Sequence, residues 1–249
     1  MEDIIMVKSV ILAAGKGTRM KSDKPKVVHQ VMGKPMVYYS IEAARQAGAD
    51  EVCVIVGYKA DEVKSAIAAS VNDVKVDYAL QEEQLGTGHA VKCAADFIGR
   101  DGDVIILCGD TPLVTGDTLR KALDFHKESG NGVTVISAML DDPFGYGRII
   151  RDDDSLAKIV EQKDADEAEK AVKEVNSGMY IFDCAALQDA LSQISNDNAQ
   201  GEYYLPDAIE IIKKMGLPAS AVPMDDADQI RGVNTLEQLA DAEKIMENR

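Results

Sequence analysis

Short apolar runs rich in β-branched residues alternate along the first half of the chain with segments of helical length. The runs are VKSVILA from Val7, EVCVIVG from Glu51, VKVDYAL from Val74 and DVIILCG from Asp103. Each has the length of a buried strand, and regular alternation of strand with helix is typical of βαβ crossovers. The pattern therefore predicts an α/β fold with a mixed, mainly parallel sheet and helices on both faces.

Capping residues indicate where the helices of this half begin. Pro35 suits the first position of a helix, Asp61 can cap a helix through Ile67, and Thr115 or Asp117 can cap one through His126. Ligands of open α/β sheets collect at the carboxyl ends of parallel strands. The loops that follow the apolar runs are therefore where we expect the chemistry.

The pattern changes after Gly130. The segments VTVISAML, YGRIIRD and LAKIVEQKD lie close together and are joined by turn residues, which predicts a more antiparallel or mixed section. Helices are then expected from Ala165 to Glu174, Ala185 to Ile194, Tyr204 to Met215 and Thr235 to the C-terminus. No linker or repeat interrupts the pattern, so residues 1–249 are predicted to form a single domain.

The distribution of charged residues along the chain limits the kinds of ligand that we expect it to bind. The chain has a formal net charge of -16, which disfavours contact with the phosphates of DNA or RNA. The window from Lys16 to Lys34 nevertheless carries six basic residues against one acidic residue, Asp23, and is net +5. A small anionic ligand suits this window better than a nucleic acid does.

The cysteine spacing and the N-terminal segment indicate the cellular compartment of the protein. The four cysteines are widely spaced and form no C-x-x-C pair, as in proteins of a reducing compartment. No apolar stretch approaches the roughly 20 residues that span a bilayer, and MEDIIMVKSV lacks the features of a signal peptide. We therefore expect a cytoplasmic protein without a membrane partner.

The segment LAAGKGTRM, from Leu12 to Met20, follows the first apolar run. Gly15 and Gly17 allow close approach of backbone N–H groups to an anion, although a glycine-rich turn without a ligand has the same composition. A dinucleotide fingerprint fails because Met20 replaces its third glycine, and a Walker loop fails as well. Arg19 and Lys26 could meet two separate phosphate groups, as a triphosphate requires.

The segment LAAGKGTRM, with the PK pair at Pro25 and Lys26, resembles the nucleotidyltransferases that join sugar-1-phosphates to nucleoside triphosphates. Further motifs follow in order: QEEQLGTGHA from Gln81, CGDTPL from Cys108, GYGRI from Gly145, IVEQKDA from Ile159, NSGMY from Asn176, NAQGEYYLPD from Asn198 and GVNT from Gly232. Over nearly the whole chain they are similar to the uridyltransferase domain of bifunctional N-acetylglucosamine-1-phosphate uridyltransferase/glucosamine-1-phosphate acetyltransferase. This resemblance implies a Rossmann-like nucleotide-diphospho-sugar transferase fold.

The resemblance also implies roles for individual residues. It makes Leu12, Ala13, Ala14, Gly15, Lys26, Gln81, Gly86 and Thr87 ligands of the nucleotide, and Gly109, Gly147, Glu161 and Asn176 ligands of the sugar. Arg19, Lys26 and Asp110 would be catalytic, and Asp110 and Asn234 would hold Mg²⁺. The nucleotide part would cover about residues 1–130, the sugar part about 131–233 and a C-terminal helix about 235–249.

Several of these residues have a plainer interpretation. Gln81 could be a polar strand end, Glu161 a surface charge, and Asp110 a turn or cap residue. Asn234 could cap the last helix, unless a capping box between Thr235 and Gln238 leaves its side chain free. Two protein oxygens would suffice for Mg²⁺, because substrate phosphates and waters complete its coordination.

The resemblance implies a UDP-N-acetylglucosamine pyrophosphorylase, which makes a peptidoglycan precursor from UTP and N-acetylglucosamine-1-phosphate. Two alternatives remain at this stage: a nucleotidyltransferase for another sugar-1-phosphate or nucleotide, and a catalytically silent subunit that binds nucleotide sugars. No hexapeptide-repeat domain follows Arg249, so a free-standing enzyme and an excised domain are both compatible with the sequence. The oligomeric state stays open. Cys108 stands where many relatives have an aromatic residue, and we expect it to affect packing more than activity.

Overall fold

The computed structural model describes residues 6–153 and 155–249. The first residues of the N-terminal segment considered above, Met1–Ile5, therefore lie outside the described residues. The strands are β1 (Val7–Leu12), β2 (Gln30–Val31), β3 (Lys34–Pro35), β4 (Glu51–Val56), β5 (Val76–Leu80), β6 (Asp103–Cys108), β7 (Val133–Met139), β8 (Arg148–Asp152), β9 (Ser155–Val160), β10 (Glu174–Asp183) and β11 (Ala219–Pro223). The α-helices are α1 (Met36–Ala47), α2 (Ala60–Ser70), α3 (Thr87–Cys93), α4 (Ala95–Ile98), α5 (Gly116–Glu128), α6 (Glu167–Lys170), α7 (Cys184–Leu191), α8 (Asp207–Lys214) and α9 (Leu236–Glu247).

The main sheet has the strand order β11-β7-β10-β6-β1-β4-β5. Strands β6, β1, β4 and β5 pair in parallel, as do β7 and β11, whereas β10 is antiparallel to both of its neighbours, β6 and β7. The hairpin of β8 and β9 joins β10 where Arg148 pairs with Val175. The prediction of a mixed, mainly parallel sheet is thereby confirmed.

Two apolar layers cover the two faces of this sheet. Along β6, Ile105 packs into the layer that contains α1, α2 and α5, whereas its neighbour Ile106 packs into the layer that contains α3, α7 and α8. Both side chains are fully buried. A strand covered on both faces is apolar at most positions, with buried exceptions such as Ser9 of β1, which is why the runs in the sequence are nearly continuous rather than alternating.

The prediction of a helix from Ala165 to Glu174 is wrong. Only α6 is helical there; Asp166 and Glu169 form a capping box at its start, and Glu174 already begins β10. Neither β10 nor β11 was predicted from the sequence. Their pairing partners lie 27 or more residues away, so the strand conformation comes from tertiary contacts rather than from local propensity.

The other helices agree with the predictions to within a few residues. The Thr115 hydroxyl caps α5 by accepting from Thr118 N–H at 3.4 Å, as expected. Asp61 does not cap α2; it lies in the first turn, and Lys59 precedes the helix with φ 49° and no side-chain cap. Pro35 immediately precedes α1 rather than opening it.

The C-terminal helix α9 is integrated into the fold. It packs in a small apolar cluster with Val31, Met36, Leu113 and Val233. Beyond the helix, the Arg249 guanidinium donates to Leu113 O at 2.8 Å. None of the helices among the described residues has the length and apolar character needed to cross a membrane.

Candidate active site

The glycine-rich loop after β1 is fixed by hydrogen bonds at its start and by close packing at Gly17. Ala13 N–H donates to Ile55 O at 2.9 Å, and Ala14 O accepts from Tyr58 N–H at 3.0 Å. Gly17 has φ 66°, and a Cβ added there would lie 2.4 Å from Lys26 Cβ. A glycine is required at this position because the loop turns sharply and the stem of Lys26 packs directly against it.

Lys26, Asp110, Asn234 and Arg19 come together beside this loop. Lys26 Nζ forms an ion pair with Asp110 Oδ2 and donates to Asn234 Oδ1 at 2.9 Å, while Arg19 donates to the same Asn234 oxygen at 2.8 Å. The Lys26 and Asp110 side chains are 16% and 20% exposed. Residues as far as 215 positions apart in the chain thus form one cluster, which is half-buried except for the exposed Arg19.

Asn234 reaches the cluster because it is not a helix cap. Thr235 caps α9 by accepting from Gln238 N–H at 3.2 Å, and the Gln238 side chain accepts from Asn234 N–H at 2.8 Å. The segment is also joined to Asp110, whose carbonyl accepts from Val233 N–H at 2.9 Å. The alternative that Asn234 caps the helix is therefore wrong, and its side-chain oxygen faces the cations.

The oxygens of Asp110 and Asn234 suit a hard divalent cation. They already converge on one positive charge, the Lys26 ammonium. Within residues 6–153 and 155–249, no group of three or more His, Cys, Asp and Glu side chains could hold a metal. A metal bound at this pair would therefore have to take its remaining ligands from substrate phosphates and water, as Mg²⁺ commonly does.

A cavity of about 310 Å³ extends from this cluster towards the end of β5. It is lined by Leu12, Ala13, Ala14, Gly15, Lys26, Val27, Gln81, Gln84, Gly86, Thr87, Ala90, Cys108, Asp110 and Glu202. All eight residues predicted to bind the nucleotide are among them. Sequence reasoning missed Glu202, which is remote in sequence from every other lining residue.

The loop Leu85–Gly88 is held by a second segment, Tyr203–Leu205, and we call the two together the clasp. Gly88 N–H donates to Tyr203 O at 2.7 Å, Tyr203 N–H donates to Leu85 O at 2.9 Å, and Leu205 N–H donates to Thr87 Oγ1 at 3.0 Å. The N–H of Gly88 is therefore used within the protein and is not available to a ligand.

The residues predicted to bind the sugar meet at the start of β8 and β10. A Cβ added at Gly147 would lie 3.2 Å from Glu161 Oε1 and 3.5 Å from Asn176 Cβ. Asn176 N–H donates to Gly147 O at 2.9 Å, and its side chain donates to the Tyr180 hydroxyl at 2.6 Å. Gly147, Glu161 and Asn176 therefore form one polar surface.

Gly109 and Cys108 connect the two sides of the site. Gly109 N–H donates to Leu12 O at 2.9 Å, and a Cβ there would lie 3.1 Å from that oxygen. The Cys108 thiol donates to Gly178 O at 3.7 Å, two residues beyond Asn176. Burial raises the pKa of Cys108 to about 12, so this thiol stays protonated and packs rather than reacts.

Glu161 is not a surface charge. Its side chain is half-buried, and burial raises the pKa of its carboxyl, with Asp164 and Asp207 adding to the shift and Arg148 opposing it. Arg148 is 2% exposed and donates to Gln162 Oε1 at 2.8 Å and to Tyr146 O. This buried guanidinium holds the residues before Gly147 against those after Glu161.

Comparison with known proteins gives matches over the whole chain. The sequence model described as "Nucleotidyl transferase" matches residues 8–242. The bifunctional protein GlmU of Caldanaerobacter subterraneus subsp. tengcongensis is 54% identical over 250 residues, covering 100% of this chain and 53% of the relative. That of Thermoanaerobacter pseudethanolicus is 52% identical, covering 97% and 52%. The chain thus spans about half the length of the curated relatives it matches, and the resemblance to their uridyltransferase domain is confirmed.

Solved structures agree in fold. A Bacillus anthracis protein described as a glucose-1-phosphate thymidylyltransferase has a TM-score of 0.78 at 20% identity, covering 98% of this chain and 96% of its own. A UDP-glucose pyrophosphorylase complexed with UDP-glucose has the same TM-score at 18% identity, covering 98% and 99%. At this identity the likeness concerns the fold alone, and it confirms the predicted nucleotide-diphospho-sugar transferase fold.

Proposed function

The chain belongs to the nucleotidyl transferase family, and from this premise we propose that it transfers a uridylyl group from UTP to N-acetylglucosamine-1-phosphate. The products are UDP-N-acetylglucosamine and pyrophosphate. Identity of about one half to bifunctional GlmU proteins, over the full chain, supports these substrates. The reaction class is supported by one observation in particular: two cations, a carboxylate and a carboxamide meet beside a glycine-rich loop at the ends of parallel strands.

The nucleophile in this proposal needs no general base. A phosphate monoester has a second pKa of about 6, so the attacking oxygen of the sugar-1-phosphate is already anionic near neutral pH. That oxygen forms a bond to the α-phosphorus of UTP, and the bond from the α-phosphorus to the bridging oxygen of the β-phosphate breaks. The leaving group is pyrophosphate, which carries the released electron pair.

The protein's task is to overcome repulsion between two polyanions. Lys26 lines the cavity, and the exposed Arg19 is bonded to the same Asn234 oxygen as Lys26, so both would neutralise charge on the α-phosphate and on the leaving pyrophosphate. The backbone of Leu12–Gly15 would position the triphosphate, and Gly147, Glu161 and Asn176 would position the sugar. In-line placement of the two substrates supplies the rest of the acceleration.

Nucleotidyltransferases of this family generally use a divalent metal. We propose Mg²⁺, held by Asp110 and Asn234. Bound there, the ion would neutralise charge on the phosphate oxygens. Lys26 donates to the same two residues, so its ammonium lies beside the place where the ion and a substrate phosphate would be held.

A panel of substrates tests the proposal. UTP, CTP, ATP, GTP and dTTP are each combined with N-acetylglucosamine-1-phosphate, glucosamine-1-phosphate and glucose-1-phosphate, and pyrophosphate release is measured with and without Mg²⁺. We expect the highest kcat/KM for UTP with N-acetylglucosamine-1-phosphate. A preference for another pair would assign a different transferase, and binding without turnover in every combination would make the chain a silent binding subunit.

Variants of two lysines in the same basic window test the site. Lys26→Met is expected to lower kcat/KM for UTP about 100-fold or more, because it removes a charge aimed at the reacting phosphates. Lys34→Met, on the β2–β3 hairpin, is the matched control and should stay within about threefold of the wild type. Equal activity of the two variants would remove Lys26 from the mechanism.

A further inference from the structure

The side chain of Gln81 is held by two acceptors. Gln81 follows β5 and is 3% exposed. Its Nε2 lies 3.2 Å from Gly86 O and 3.2 Å from Nδ1 of His89, which belongs to α3. The same glutamine lines the cavity described above, so its amide joins helix α3 to the nucleotide side of the site.

These contacts determine which end of the amide faces the ligand. A backbone carbonyl can only accept, so the atom beside Gly86 O must be the amide nitrogen rather than the amide oxygen. The second amide hydrogen then points to His89 Nδ1, which must offer its lone pair and leave the ring proton on Nε2. Both hydrogens of the Gln81 amide are thereby used within the protein.

The amide oxygen of Gln81 is left as the group available to a ligand. It accepts no hydrogen bond from residues 6–153 or 155–249, and it is not among the sealed, unpartnered atoms of those residues, which are His29 Nε2 and Asp103 Oδ2. Gln81 therefore presents an acceptor, and no donor, to the cavity. Uracil and thymine carry a ring N3–H that can donate to this oxygen, whereas cytosine carries a lone pair at N3 that would repel it.

We propose that His89 is a positioning residue that sets base selectivity by holding the Gln81 amide in one orientation. The inference rests on the proposed function, because it concerns the base of the nucleotide substrate. His89 is not among the residues that line the cavity. It acts through Gln81 and favours a base that donates from its ring nitrogen over one that accepts there.

Two substitutions separate positioning from packing. His89→Leu fills similar space but removes one of the two acceptors, so that Gly86 O alone holds the Gln81 amide and the preference for this orientation becomes weaker. His89→Asn keeps an acceptor on the same carbon that bears Nδ1. The measured quantity is the ratio of kcat/KM for UTP to kcat/KM for CTP at saturating N-acetylglucosamine-1-phosphate, with the KM for the sugar substrate as a second readout.

We expect His89→Leu to lower the UTP to CTP ratio about fivefold to tenfold, the loss of one oriented hydrogen bond, and His89→Asn to stay within about threefold of the wild type. The KM for the sugar substrate should be unchanged in both variants. The ratio of UTP to dTTP should also be unchanged, because both bases donate from N3. An unaltered UTP to CTP ratio in His89→Leu, or an equal loss in both variants, would overturn the proposal.

Failure of the proposed function gives a different result. If the wild-type protein turns over no nucleotide with any sugar-1-phosphate, the proposed function fails, but the dissociation constants of UTP and CTP can still be compared by calorimetry. The same fivefold to tenfold change in their ratio is then expected for His89→Leu. Equal ratios for wild type and His89→Leu in that binding experiment would reject the role of His89 independently of catalysis.

Discussion

At the scale of single residues, Glu161 is a carboxylate in an unfavourable place. It is half-buried, and Asp164 and Asp207 face it, so its pKa is raised, while Arg148 only partly compensates. Burial likewise raises the pKa of Asp207, to about 6, with Glu210 and Asp164 contributing. Such a cost is tolerated where an ionised carboxylate is needed as an acceptor, and the function we propose would use this one for sugar hydroxyl or amide groups.

We predict that the KM for N-acetylglucosamine-1-phosphate increases as the pH falls through the raised pKa of Glu161. The protonated carboxyl loses acceptor capacity, and this happens at a higher pH than for an ordinary glutamate. Glu161→Gln should raise the KM by about tenfold at pH 8, the loss of one charge-assisted hydrogen bond. Steady-state kinetics from pH 5.5 to pH 8.5 measure both effects.

The variant is also its own control for the substrate, whose phosphate titrates near pH 6 in either protein. The ratio of the wild-type KM to the variant KM should therefore rise towards one on the acid side. A ratio that is independent of pH would show that the charge of Glu161 does not contribute to sugar binding.

The positions of single residues were predicted best where a motif requires a particular backbone conformation or a charged side chain. Asp110 and Asn234 were expected to share a ligand, and the structure places both on the Lys26 ammonium. Glu202 and His89 were not predicted to contribute to the site. Glu202 is placed by the packing of Tyr203–Leu205 against Leu85–Gly88, and His89 by its contact with Gln81. Contacts between segments that are distant in the sequence cannot be predicted from a local sequence pattern.

At the scale of elements, the two segments of the clasp, Leu85–Gly88 and Tyr203–Leu205, are more than 100 residues apart in the sequence. Gly86 lies at the centre of the clasp with φ 109°, and a Cβ there would lie 2.6 Å from Tyr203 O and 2.8 Å from Tyr203 N. Backbone atoms cannot move aside as a flexible side chain does. The clasp therefore closes only if residue 86 is a glycine.

We predict that Gly86→Ala destabilises the protein by about 2 kcal/mol more than Gly48→Ala does. Gly48 has a similar φ of 103° but open space around it, so its alanine variant measures backbone strain alone, about 1 kcal/mol. Denaturant unfolding gives the free energies. Gly86→Ala should also raise the KM for UTP, while Gly48→Ala should not. Equal losses of stability in the two variants would mean that the segments of the clasp move apart to accept the added methyl group without a loss of folding free energy.

Helices and strands were predicted reliably where the residues of the element itself show a hydrophobic pattern or a capping residue. The four apolar runs of the first half became β1, β4, β5 and β6, and Thr115 caps α5 as expected. The segment from Ala165 to Glu174 failed because its alternation of charged and small residues favours a helix, whereas Glu174 pairs with Arg151 and Ser137 in the sheet. That competition is decided by distant strands rather than by propensity.

At the scale of the whole molecule, an acidic protein is proposed to bring together two anionic substrates. The net charge of -16 repels them, and the net +5 window from Lys16 to Lys34 contributes Lys26 and Val27 to the lining of the cavity. Local potential near a cleft affects association rates even for residues that touch no ligand. Exposed lysines of this window are therefore expected to assist capture of the nucleotide.

We predict that Lys24→Glu lowers kcat/KM for UTP about twofold to fivefold at low ionic strength, and that the effect disappears as added salt shortens the range of the field. Lys127→Glu is the matched control, because Lys127 lies beside Asp103, at the opposite end of β6. Kinetics at a series of sodium chloride concentrations measure the effect. A salt-independent loss in Lys24→Glu, or an equal loss in Lys127→Glu, would contradict steering.

The antiparallel strand β10 has a consequence for how the chain is made. It is the neighbour of β6 in the sheet, yet it follows β6 in the sequence by 66 residues or more. A growing polypeptide on the ribosome that has released β1, β4, β5 and β6 therefore carries an unpaired strand edge until Glu174–Asp183 emerges. We expect that interval to be the period in which the nascent protein depends most on chaperones.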